Sequence, residues 1–152
     1  MVPLAWLVQS RSPPIRTLGH FPAGADGVPP PGLTMDFDQA VAAHTAWKRT
    51  LARHLDKRDG SLRPNEIALD DRCALGQWIH GRGEAEYHNL PEYSVLLREH
   101  ARFHRCAAEV VRRANSGEAV DKQITVGARS EFTMASSAVV LAIMAIKKRA
   151  GG

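Results

Sequence analysis

The sequence predicts an all-α protein, an antiparallel four-helix bundle with a short second helix, preceded by a disordered N-terminal tail. Three observations carry this. Apolar residues recur at helical spacing in long stretches, no stretch alternates as a strand would, and Gly- and Pro-rich punctuation falls only between the helical stretches. At 152 residues the chain is long enough for one domain with a real core.

Residues 1–34 form the tail. Seven of the nine prolines lie there, and its only charges are Arg11, Arg16 and Asp26, so it can neither hold a helix nor bury much. The bundle is expected over residues 35–150. Thr34-Met35-Asp36 places a methionine directly before it, which suggests Met35 as the native start and the tail as an extension of gene assignment; a disordered tail with a docking role is the alternative.

Asp36 or Asp38 caps the first helix, in which Phe37, Ala40, Val41, His44, Trp47, Leu51 and Leu55 recur on one face until the chain turns between Asp56 and Gly60. A connector through Leu62, Pro64 and Ile67 leads to the short second helix. That helix should start at Asp70-Asp71, carry Cys73 to Ile79, and be stopped by Gly81 and Gly83. The third starts at Leu90-Pro91, where proline suits the first turn, and runs through Tyr93, Leu96, His100, Phe103, His104 and Val111 to Asn115-Ser116-Gly117. The last runs from Glu118 to about Arg149. Its stretch from Ala135 to Ile146 is apolar nearly all round, which predicts contact on more than one side.

The chain carries 20 basic and 16 acidic residues, interleaved along the helices, which argues against a nucleic-acid partner. The tight cluster Lys147-Lys148-Arg149 ends a helix and complements its dipole. No export signal is legible and no apolar stretch looks long enough to cross a bilayer. A cytoplasmic, reducing setting is therefore expected, in which the two cysteines serve metal binding or redox chemistry and not cross-linking.

Chemistry concentrates in His44, Cys73, His100 and His104, since three imidazoles and one thiol are a donor set of closed tetrahedral zinc sites. His100 and His104, four apart on a helix, project from one face about 40° apart. Ala101 stands where a helical metalloprotease motif needs glutamate, so the general base is missing. A helix N-terminus at Cys73 should favour the thiolate, the form that binds zinc. Cys106 falls about 200° from His104 and reads as a small buried hydrophobe, and His54 falls on a different face from His44. His80 and His88 flank the glycine turn and should be solvated, with His80 a reserve ligand. Asp70 or Asp71 could support a ligating histidine from outside, although capping explains them as well.

Together, His44-Thr45-Ala46-Trp47, 25 residues, Cys73-Ala74-Leu75-Gly76-Gln77-Trp78, 21 residues, and His100-Ala101-Arg102-Phe103-His104 resemble the chemoreceptor zinc-binding (CZB) domain. The resemblance covers Asp36 to about Ile146. It implies a four-helix bundle holding one Zn2+ through His44, Cys73, His100 and His104, with Trp47 and Trp78 packed close by. It also implies no catalytic activity, and a role in regulating signalling proteins such as chemoreceptors and diguanylate cyclases in response to zinc or to oxidants such as hypochlorous acid.

Four protein ligands leave no open position for substrate or water, which favours a regulatory zinc over a catalytic one. Oxidising Cys73 or stripping the ion should loosen the short second helix first. No methyl-accepting coiled coil or cyclase sequence is visible, so the domain is expected to act on a signalling partner in trans or by self-association, a homodimer through the last helix being one form. The competing reading is a metal-dependent hydrolase with an open three-histidine site. A metal-free bundle binding nucleic acid through its small positive charge is weaker, and no membrane partner is expected.

Overall fold

The computed structural model describes residues 36–151, and among these every regular element is helical. The tail expected to be disordered lies outside the described residues. Helix α1 spans Phe37–Lys57, with the Asp36 carboxylate accepting from the Gln39 N–H at 2.9 Å. It ends at Arg58, whose φ of 46° is left-handed and whose N–H bonds the His54 carbonyl. Both ends fall where the sequence puts them, because a cap and a turn residue are local signals.

The second limb departs from expectation. It consists of α2 (Pro64–Ile67), α3 (Ala74–Trp78), a π-helical turn (Ile79–Gly83) and α4 (Glu84–Tyr87). Cys73 itself caps α3, its sulfur accepting from the Gly76 N–H at 3.2 Å, so Asp70 and Asp71 are not the cap. Gly81 and Gly83 do not stop the helix, and helical turns continue through both. Neither has the positive φ of a terminating glycine, and at Gly83 a Cβ would sit only 2.9 Å from the Trp78 carbonyl oxygen. Gly83 thus provides room for a close approach at the end of the π turn.

Helix α5 spans Pro91–Asn115 as predicted and buries Leu96, His100, Phe103, His104 and Val111. The last predicted helix is two. Helix α6 (Lys122–Val126) is capped by Asp121, and α7 (Glu131–Ala150) by Ser130, whose Oγ accepts from the Thr133 N–H at 3.1 Å. The extended backbone of Gly127, with ψ 172°, separates them, and a Cβ there would meet the Gln123 carbonyl oxygen at 2.0 Å.

Helix α7 packs most extensively on α5. It buries Phe132, Ala135, Val139, Ala142, Ile143 and Ile146, while Met134, Leu141 and Met144 remain 43%, 68% and 56% exposed. Its apolar residues are thus covered on one side. The helical region Lys122–Ala150 has an 18-residue window of mean hydropathy 1.4, long and apolar enough by composition to cross a membrane, which corrects the sequence expectation. Its inward face is spent on α5.

Cross-contacts fix the directions of the limbs. His44 lies by His100 and His54 by Asn115, so α1 and α5 run the same way. Lys147 pairs with Asp38, Arg149 with Glu92, and Arg102 with Glu131, so α7 runs against both. The limb from residue 62 to 79 also descends against α5. Its Leu62, Ile67 and Ile79 carbonyls accept from Asn115, His104 and Tyr93 in turn.

Candidate metal centre

Three of the four predicted donors come together in the core. Cys73, His100 and His104 each offer a ligand atom, and these atoms lie within 4.8 Å of one another. The Cys73 Sγ is 3.3 Å from the His100 Nε2. A tetrahedral zinc with bonds of about 2.3 Å to sulfur and about 2.05 Å to nitrogen separates such a pair by about 3.5 Å, so the spacing fits. All three side chains are buried, with Cys73 only 4% exposed.

His44 lies beside this group without belonging to it. It is fully buried, with its ring centroid 5.6 Å from that of His100 and 4.4 Å from that of Phe103. Phe103 is the aromatic side of the site: it also meets His104 at 5.4 Å, Trp47 at 6.4 Å and Phe132 at 5.2 Å. Trp47 is therefore one ring away from the histidines. Trp78 packs on Phe37 and Tyr87.

The donors are held by chemistry that sets their protonation. The His104 Nδ1–H donates to the Ile67 carbonyl at 2.6 Å, which leaves Nε2 as the coordinating nitrogen. Burial pushes the His44 imidazole down to about 3, and it carries His100 well below and His104 below the ordinary histidine range. All three rings are thus neutral, as metal ligands must be. Burial pushes the Cys73 thiol up to about 12, against the pull of the Gly76 and Leu75 amides. The expected thiolate preference is reversed without a metal, since a five-residue helix has little field to offset desolvation.

The other candidates stand apart. The exposed His80 is 3.2 Å from the Asp70 carboxylate, which occupies both the reserve ligand and the proposed supporting aspartate. Cys106 is half-buried. His54 is buried as well, its Nε2 bonded to Asn115 at 3.1 Å. The supporting partner that sequence reasoning missed is the Ile67 carbonyl, a main-chain group that no side-chain pattern marks.

A buried cysteine and two histidines at these distances, with a third histidine alongside, can hold a metal. The same stretch of chain matches a known family. Residues 44–111 match the chemoreceptor zinc-binding domain. The match begins at His44, takes in Cys73, His100 and His104, and ends within α5, so it spans the stretch that carries the motifs of the resemblance. No curated protein and no solved structure matches the chain. The chemoreceptor zinc-binding match and the Cys73, His100 and His104 group together point to a zinc-binding sensory domain.

Proposed function

We propose that this domain is a cytoplasmic, non-catalytic zinc sensor that controls a signalling partner of chemoreceptor or diguanylate cyclase type. The ligands are His44, Cys73, His100 and His104, in an antiparallel four-helix bundle over residues 35–150 whose second limb is the broken run 62–87. The observation that carries this reading is the approach of Cys73, His100 and His104 in the buried core within the matched segment. These residues would hold the zinc, whose positive charge would favour the thiolate form of Cys73.

Sulfur makes the site responsive to oxidant as well as to zinc. Once Cys73 is oxidised, its limb loses the bond to the histidines, and that change is what the partner reads. The hydrolase reading is disfavoured by burial, because side chains this enclosed give a substrate no approach. The exposed Met134, Leu141 and Met144 of α7 are the surface offered to the partner or to a second copy.

The test is zinc stoichiometry of the full chain and of Cys73→Ala and His100→Ala, followed through unfolding. One zinc per wild-type chain, lost in both variants, supports the site. Retention in either variant reassigns the ligands. Sedimentation equilibrium at micromolar concentration that finds only monomer removes self-association.

A further inference from the structure

The outer groove between α1 and α7 holds none of the proposed ligands. It is a recess of about 370 Å³ with Thr45 and Lys48 on its α1 bank, Ser136, Val140 and Leu141 on its α7 bank, and Phe132 at its base. The apolar bank runs on beyond the recess. Met134, Leu141 and Met144 follow one another at spacings of seven and three, so they share one exposed stripe of α7.

The two banks differ in charge. From Phe132 to Ile146, α7 carries no charged residue. On α1, Lys48, Arg49 and Arg53 are exposed, and Arg49 and Arg53 continue at i+4 steps from Thr45. Asp38 and Asp56, the carboxylates of α1, pair with Lys147 and Lys122, and among the described residues no carboxylate pairs with Lys48, Arg49 or Arg53. The groove thus sets an uncharged, apolar bank against a bank of unneutralised cations. Such a surface favours a partner of opposite charge.

We propose that this groove docks the signalling partner, and that its occupant is an amphipathic helix with apolar anchors on one face and carboxylates on the flank that meets α1. The inference rests on the reading that the domain acts on a partner, and it names that partner's chemistry. Charge and shape decide between occupants. A second copy set face to face across the groove brings the same cations against the first. A lipid surface supplies negative charge but is too flat to enter a recess based on Phe132.

The probe is a fluorescein-labelled peptide of about 18 residues, about five helical turns, with leucines at i, i+3, i+4 and i+7 and glutamates beside them; its counterpart has lysines in place of the glutamates. With the full chain and one equivalent of zinc, fluorescence anisotropy should show the acidic peptide binding about 10-fold tighter than the basic one, and added salt should narrow the gap. Leu141→Ser should weaken the acidic peptide, and the double variant Lys48→Glu/Arg49→Glu should reverse the preference, a gain that a misfolded chain does not give. Arg112→Glu, an equal charge change at an exposed position of α5, should leave the preference as it was.

Equal binding of the two peptides by the wild type overturns the inference, as does a preference that survives the double reversal. Two other outcomes replace the occupant. Binding to phosphatidylglycerol vesicles that the double reversal abolishes, with no preference between the peptides, makes the surface a lipid site. A dimer in sedimentation that Leu141→Arg disperses makes it a self-contact. Zinc stoichiometry on the same samples separates this inference from the sensor reading. A chain that binds no zinc yet prefers the acidic peptide removes only the sensor reading, and a chain that holds one zinc without any preference removes only the groove.

Discussion

A single methyl group at Gly76 is expected to weaken metal binding without altering any ligand. Cys73 sits midway between Asp70 and Gly76, and the chain folds back so tightly that a Cβ on Gly76 would lie 1.7 Å from the Asp70 carbonyl oxygen and 2.8 Å from its carbon. Ordinary contact begins near 3.4 Å, so the two must separate by about 1.7 Å. Both atoms are main chain, and no rotamer relieves them. The movement has to open the turn that aims the Cys73 sulfur at His100, whereas metal–ligand distances tolerate only about 0.2 Å. Overpacking of this kind costs about 1–3 kcal/mol, and the part paid on binding weakens zinc affinity by about 5- to 150-fold. Gly81→Ala is the control, since its Cβ would meet nothing within 4 Å. Chelator competition and thermal unfolding with and without zinc measure both variants. A Gly76→Ala protein with wild-type affinity and midpoint would refute the reasoning, as would equal damage from Gly81→Ala.

The metal-free chain should lose stability in acid. His44, His100 and His104 have folded pKa values depressed below the 6.5 of an unfolded histidine, so their contribution is present above that pH and lost as pH falls toward the folded values. Each costs about 1.4 kcal/mol per pH unit in that window, and urea midpoints that stay flat from pH 7 to 5 would contradict it. Zinc binding near neutral pH should release about one proton, from Cys73 and not from the neutral rings; calorimetry in buffers of different ionisation enthalpy counts it, and zero or two would be wrong. Phe103→Ala should cost about 3–5 kcal/mol in urea unfolding, since the fully buried ring touches two histidines, Trp47 and Phe132. His80→Ala should leave zinc stoichiometry unchanged, because His80 is paired with Asp70 at the surface.

Much of the architecture was legible because its signals are local. Asp36 caps α1, Pro91 opens α5, and the buried faces of both follow their apolar period. What failed depended on neighbours. Gly83 reads as punctuation and Gly76 and Gly127 as ordinary helix interior, yet at each of the three a carbonyl oxygen leaves no space for a Cβ. The break between α6 and α7 and the π turn after Trp78 both pass through such glycines. Cys73 looked activated by its helix, but burial outweighs that effect.

The sequence by itself determined the donor types, the helices that carry them and the missing base at Ala101. Periodicity is a property of each segment alone, so it can place a side chain on a face. Only the tertiary structure decided which donors meet. The packing of the second limb and α1 on α5 brings Cys73 to His100, gives His104 the Ile67 carbonyl, and leaves His44 one step outside the group.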